Sequence, residues 1–127
     1  MARDAARAHV TKAEEYLDAA RIVLDHEYCN ATCSLAVISG INAKDAICIL
    51  SVGFTGKSDD HARAAAELRQ SGAIGARLAP TLSRLLSVKA KSQYSAPSVT
   101  AADASDAVKR AERLITAARE LLTSTPG

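Results

Sequence analysis

The stretch between Asn30 and Val52 constrains the fold more than any other part of the chain, because it is apolar on nearly every face and too long for a buried strand. We expect it to form the central helix of the protein. Steps of three and four residues place six of its side chains on one stripe: Leu35, Ile38, Asn42, Asp45, Ile49 and Val52. An amide and a carboxylate thus interrupt an apolar seam, and burying either without a partner would cost about 1–3 kcal/mol or more.

A second stripe of the same helix consists mostly of small residues: Ala36, Gly40, Ala43 and Ile47. Such a stripe lets another backbone approach closely, either within this chain or in a partner. Because aromatic residues make up only 3% of the chain, association would help to stabilise it. We therefore predict a homodimer, with Asn42, Asp45 and Gly40 at a buried helix interface that fixes the register between subunits.

The other apolar periodicities are also helical, and β-branched residues never alternate over the length of a strand. Further helices are predicted over residues 2–26, from Ser58 or Asp59 to residue 71, within 74–94 and over 100–122. This predicts an all-α fold with a single domain over residues 1–127, since the length leaves no room for a second one.

Residues at the helix ends give the expected boundaries. Asn30 is expected to be the N-cap of the central helix and Gly53 its stop, while Thr100 and Asp103 resemble a capping box before the last helix. Pro80 is expected near the first turn of the fourth helix or at a kink there.

Several functional classes are disfavoured by the sequence. Six charged residues lie among the first fifteen positions, so no export signal is expected. Asn42, Lys44 and Asp45 interrupt the longest apolar stretch, so no membrane span is expected either. A cytoplasmic location is the expectation. Cys29 and Cys33 lie one helical turn apart and His26 lies a turn earlier, but a fourth ligand is missing, and we expect no metal and no cofactor.

Charge is distributed unevenly although the formal net charge is only +2. Between His61 and Lys91 there are six Lys and Arg residues and one carboxylate. Arg77, Arg84 and Lys91 recur every seven residues and would line one side of a continuous helix. Such a row can follow a phosphate backbone, although a row of cations is more often only a solvated helix face.

The order of these features resembles the HEPN superfamily of small prokaryotic helical proteins, in particular members encoded beside a minimal nucleotidyltransferase. The resemblance extends over about residues 8 to 122 and rests on EYCNA, SGINAKDAICIL, the pair Asp60 and His61, and LLSVKAKSQYSA. It implies an up-and-down bundle of four to five helices, usually a homodimer, and many members are RNA-cleaving toxins.

The ribonucleases of this superfamily use an Arg separated from a His by four to six residues. No Arg precedes His61 at that spacing. Arg3 with His9 and Arg21 with His26 match it, but both pairs lie in the first helix, away from the family's catalytic position. His61 and Asp45 are the remaining candidates for acid or base catalysis, although a surface role for His61 is the simpler interpretation.

Two functions remain open. The first is a non-catalytic binding module, a homodimer that pairs with a nucleotidyltransferase-like protein or binds nucleotide or RNA phosphates. The alternative is a toxin–antitoxin ribonuclease with an atypical active site.

Overall fold

The computed structural model describes residues 2–56, 61–94 and 99–124, and these residues form five α-helices and no strand. The helices are α1 (Ala2–Asp25), α2 (Cys29–Val52), α3 (His61–Gln70), α4 (Ala73–Tyr94) and α5 (Ala101–Ser124). The prediction of an all-α helical bundle is confirmed, whereas the single domain over residues 1–127 stays a prediction.

Helix α2 is the central helix, as its sequence predicted, and it contacts all four other helices. Its small-residue stripe is buried inside the bundle, where Ala36, Ala43 and Ile47 are completely inaccessible. A methyl group added at Gly40 would overlap with Leu85 of α4 and lie 3.3 Å from Leu114 of α5. The close approach therefore occurs within this chain, which was one of the two possibilities left open by the sequence. This stripe offers no surface to a partner.

Helices α1 and α5 pack against α2 with the apolar stripes that their periodicity indicated. The buried residues of α1 are Ala6, Val10, Ala13, Leu17 and Ala20. Those of α5 include Ala104, Ala107, Ala111, Leu114 and Ala118. Many of these are alanines, so the helix backbones lie close together and little bulk fills the core. Outside this contact Glu14 pairs with Arg119, and Arg21 with Glu112, at exposed positions where ion pairs add little stability.

The ends of α2 differ in how well the sequence predicted them. Gly53 adopts φ 86°, and its N–H donates to the Ile49 carbonyl, which confirms the predicted stop. The N-cap is Tyr28 rather than Asn30, and Tyr28 makes no side-chain capping bond. Asn30 instead lies inside α2 and accepts a hydrogen bond from the Val99 N–H at 3.2 Å. This amide therefore connects the start of α2 to the segment before α5, a long-range contact that local sequence could not show.

The predicted capping box before α5 is confirmed. The Thr100 N–H donates to Asp103 Oδ2 at 3.1 Å, and the Asp103 N–H donates to Thr100 Oγ1 at 3.0 Å. Pro80 was expected near the first turn of α4 or at a kink there. Helix α4 begins at Ala73, so Pro80 lies inside the helix and not in its first turn. The predicted caps of α3, Ser58 and Asp59, lie outside the described residues.

Helix α3 is attached differently from the other four. It packs mainly on α4, makes few contacts with α2, and has no recorded contact with α1 or α5 among the described residues. Its buried apolar side chains are Ala64, Ala65 and Leu68. Because two of these three are alanines, apolar burial alone holds α3 weakly.

Helix α2 is also long and apolar enough to cross a membrane by length and composition. However, 61% of its most apolar window is buried inside the bundle, as expected for the core helix of a helical domain. This burial favours the core interpretation over a membrane span.

Candidate functional site

One side of α2 remains partly exposed after the bundle has formed. We call it the outer face of α2 and define it by Leu35, Ile38, Ile41, Asp45 and Val52, together with Asn42, which is buried among them. Most of these residues belong to the seam that the sequence indicated. Ile38 is 39% exposed and Val52 47% exposed, and two further exposed apolar side chains, Tyr28 and Phe54, flank the helix ends. An apolar surface with a polar centre thus runs along this helix.

The polar centre is built by Asn42, Asp45 and His9, a residue of α1. Asn42 Nδ2 donates to the Ile38 carbonyl at 3.0 Å, which turns its Oδ1 atom toward the imidazole. Because an amide oxygen can only accept, His9 Nδ1 is the donor in the 3.0 Å bond between them. Asp45 Oδ2 lies 3.9 Å from the same nitrogen. The half-exposed imidazole is thereby oriented, and in its neutral form its Nε2 atom is an acceptor.

A second polar cluster lies deeper, between α2, α3 and the segment that follows α2. The Lys44 side chain is only 2% exposed, and its ammonium group donates to three oxygens. The acceptors are Asp45 Oδ1 at 3.2 Å, Thr55 Oγ1 at 2.9 Å and Glu67 Oε2 at 2.9 Å. Thr55 in turn donates to Asp45 Oδ1 at 2.6 Å. We call these four residues the Lys44 clamp, since they connect three segments through one ammonium group.

The electrostatics of the clamp favour its charged form. Burial alone would lower the pKa of Lys44, but the hydrogen bond with Glu67 and the charge of Asp45 raise it above its usual value. The hydrogen bond from Lys44, assisted by the Gly56 N–H, lowers the pKa of Glu67. A Cβ at Gly56 would overlap with the end of the Glu67 side chain, which would then have to shift from its present position. Within the described residues, no buried side-chain polar atom lacks a partner.

A cavity of 340 Å³ opens beside the clamp, between the end of α2 and α3. Its lining residues are Cys48, Val52, Phe54, Gly56, Arg63, Glu67, Gln70 and Ser71. Burial raises the pKa of the Cys48 thiol, so this cysteine is not an activated nucleophile.

The predicted cation row lies on a different surface. Arg77 and Arg84 are exposed, and α4 is continuous between them, so both point from the same side of the helix. The side chain of Lys91 lies outside the described residues. A shallow groove between α4 and α5 brings Arg77 together with Arg113, but also with Glu112 and Glu120. The positive charge at this end of the row is therefore partly balanced by carboxylates.

The two Arg–His pairs that matched the ribonuclease spacing do not converge. Arg3 donates to the Leu122 carbonyl of α5 at 3.3 Å, whereas His9 turns toward α2. Arg21 pairs with Glu112 at 2.5 Å, while the His26 ring stacks on Tyr28. The backbone of His61 begins α3, and its side chain lies outside the described residues.

The structure thus joins Asn42 and Asp45 but separates them from Gly40, which lies inside the bundle, and from the cations of α4. Sequence reasoning missed Lys44 and Thr55 as partners of Asp45, and Glu67 as a partner of Lys44. The available signal was a lysine adjacent to an aspartate within an otherwise apolar helix. Two acceptors of Lys44, Thr55 and Glu67, lie 11 and 23 residues further along the chain, and no local sequence pattern indicates them. Among the described residues, no cluster of His, Cys, Asp and Glu could hold a metal ion.

These observations define an all-α bundle with an exposed apolar helix face and a polar centre. A family model described as the HEPN domain matches residues 6–121, nearly the whole chain of 127 residues. The protein belongs to the HEPN family, as the resemblance of its sequence had indicated. No curated protein shows significant similarity to the chain.

Proposed function

We propose that the protein is a non-catalytic HEPN-type binding module that acts as a homodimer, paired through the outer face of α2. The observation that supports this proposal is the exposure of Ile38 and Val52 on the most apolar helix of the bundle, in line with half-buried Leu35 and Ile41. Contiguous apolar surface of this kind marks interaction sites. The small-residue stripe that predicted a homodimer from the sequence is buried inside the bundle, so we propose the outer face as the interface instead.

The dimensions of this face set the expected affinity. The outer face runs from Leu35 to Val52, so it is about 27 Å long and presents roughly 300 Å² along one side of a helix that is about 11 Å wide. Stable interfaces bury about 800 Å² on each partner, so α1 and the ends of α2 must also contribute. Two such faces are self-complementary about a two-fold axis, with the His9, Asn42 and Asp45 cluster of each copy at the interface. We therefore expect association at micromolar rather than nanomolar concentration.

Sedimentation analysis of the wild type and two matched variants tests the dimer. The wild type should sediment with twice the chain mass of 13.3 kDa at micromolar concentration. Ile38→Lys should be monomeric, since it places a charge in the proposed interface while its side chain already reaches solvent. Ile22→Lys is the control, because Ile22 is 60% exposed and lies about 140° around α1 from His9, the residue that faces the outer face of α2. A wild type that stays monomeric up to about 100 μM, or an Ile38→Lys protein that still dimerises, would refute the proposal.

The ligand that we propose for the module is phosphate, either of RNA or of a nucleotide, bound by Arg77, Arg84 and Lys91. Binding should weaken as the salt concentration rises, because neutralised phosphates release counterions. The logarithm of the binding constant should fall linearly with the logarithm of the salt concentration, and each lost contact should lower the magnitude of this slope by about 0.7–0.9. Arg84→Ala should reduce both affinity and slope, whereas Arg69→Ala, an exposed arginine on α3, should change neither. Identical slopes for wild type and Arg84→Ala would assign the row to the solvated surface.

A nucleotidyltransferase-like protein is the proposed protein partner, on the strength of the family resemblance. Co-purification of the two chains when expressed together tests this pairing, and a partner that elutes separately at micromolar concentration contradicts it. We also propose that the protein is located in the cytoplasm.

The second candidate function is RNA cleavage, which one observation favours. The His9 ring is oriented by Asn42, lies near Asp45 and is partly exposed, as a general base would be. The partner arginine is missing from this geometry, since Arg3 binds at the end of α5. We therefore expect no metal-independent cleavage of total RNA by the wild type and no toxicity when the protein is expressed alone. Cleavage that disappears in His9→Ala or His61→Ala would establish the ribonuclease instead.

A further inference from the structure

The attachment of α3 to α2 rests on the Lys44 clamp more than on apolar packing. The described side chains of α3 bury one leucine and two alanines, and most of its contacts are with α4. By contrast, Glu67 of α3 accepts a hydrogen bond from the buried Lys44 ammonium and a second one, at 2.8 Å, from the Gly56 N–H. One carboxylate thus joins α3 both to α2 and to the segment after it.

We propose that α3 is a flap that opens from α2 as a unit while the rest of the bundle stays folded, with the Lys44 clamp as its latch. Segments with few buried apolar contacts open at lower free energy than the core to which they are attached. Ala64, Ala65 and Leu68 of α3 join the edge of the same core, but the other four helices also contact one another directly, without α3 between them. This inference does not depend on the proposed dimer.

Opening of the flap would uncover a defined group. Cys48 is 2% exposed on the side of α2 that faces α3, and it lines the same cavity as Glu67, Gln70 and Ser71. Cys33 is completely buried elsewhere on α2, and Cys29 is half-buried at the start of that helix. Cys48 therefore reports flap opening and Cys33 reports global unfolding. Cys29 gives the reactivity of an accessible thiol for comparison.

Thiol modification with peptide mapping tests the flap in the full-length protein. With excess 5,5′-dithiobis(2-nitrobenzoic acid), Cys29 should react first, and Cys48 should react at least tenfold faster than Cys33. Glu67→Gln keeps the shape of the side chain but removes its charge. It should accelerate the modification of Cys48 tenfold or more and that of Cys33 by no more than the same factor, so that Cys48 stays at least tenfold faster. Glu15→Gln, at an exposed glutamate of α1, should alter neither rate.

Two results would overturn the flap. In the wild type, equal rates at Cys48 and Cys33 would show that only global unfolding uncovers both. An unchanged Cys48 rate in Glu67→Gln would show that the clamp does not latch α3. If Glu67→Gln fails to fold, amide hydrogen exchange of the wild type decides: α3 amides should exchange at least tenfold faster than those of the middle of α2, and equal protection refutes the proposal.

Discussion

Replacing Lys44 with methionine isolates the contribution of the clamp to stability. Methionine retains most of the buried stem but leaves Asp45 and Glu67 without their shared ammonium group. Removing one partner of a buried ion pair costs about 3–5 kcal/mol. Because the Asp45 and Glu67 side chains are 14% and 24% exposed, water can partly replace the ammonium, and we expect a loss of about 2–3 kcal/mol. This is a large share of the roughly 5–15 kcal/mol typical of a small domain.

The pH dependence of this loss separates the electrostatic contribution from simple packing. The folded-state pKa of Glu67 lies below its ordinary value of 4.5, so its stabilising contribution is present above that pH and is lost as the pH falls through the folded pKa. The folded-state pKa of Lys44 lies above its ordinary value of 10.5, so its contribution is present below that pH and is lost as the pH rises further. The deficit of Lys44→Met should therefore be constant between about pH 5 and pH 10 and shrink below pH 4.5.

Urea unfolding monitored by circular dichroism measures both effects, with Lys12→Met as the control because Lys12 is exposed on α1. The control should differ from the wild type by no more than about 0.5 kcal/mol. Lys44→Met should recover stability when Glu67→Gln is added, since the second change removes the carboxylate that the first leaves uncompensated. A loss below about 1 kcal/mol, or a deficit that persists unchanged at pH 4, would refute the electrostatic account of the clamp.

Two further substitutions test the packing and the helix ends. Gly40→Ala should gain about 1 kcal/mol in helix propensity but lose more through overlap with Leu85 and contact with Leu114, so urea unfolding should show a net loss of about 1–2 kcal/mol. A more stable protein would mean that α2 and α4 separate easily at this crossing. Thr100→Ala should lower the free energy of unfolding by about 1 kcal/mol, because Asp103 then loses the bond to its N–H. An unchanged midpoint would show that water replaces the capping hydroxyl without loss.

The elements that were predictable from the sequence are those that local spacing determines. The central position of α2, the stop at Gly53 and the capping box of Thr100 all depend on residues within a few positions of one another. The failure at Asn30 has a physical reason. An asparagine near a helix start can accept from a backbone N–H of its own helix or from a distant donor, and only the packed structure shows that the Val99 N–H is bound here.

The candidate site was predictable only in part, because helical periodicity identifies stripes but not their neighbours. Asn42 and Asp45 were recognised as polar groups that require partners. The partner His9 lies 33 residues before Asn42, and Glu67 lies 23 residues after Lys44. Whether the stripe of Gly40 or that of Ile38 faces the bundle depends on where α4 and α5 pack, since both stripes are apolar enough for burial.

Asp45 belongs to both polar clusters, and this determines which substitutions can separate their roles. Its Oδ1 atom accepts hydrogen bonds from Lys44 and Thr55, while its Oδ2 atom faces the His9 ring at 3.9 Å. Asp45→Ala would therefore break the clamp and remove the neighbour of His9 at once, so a loss of RNA binding or cleavage would not distinguish unfolding from chemistry. In His9→Ala, Asn42 keeps its bond to the Ile38 carbonyl, and water can reach the vacated acceptor at this partly exposed position. His9→Ala is accordingly the substitution that tests the outer face alone, just as Lys44→Met tests the clamp.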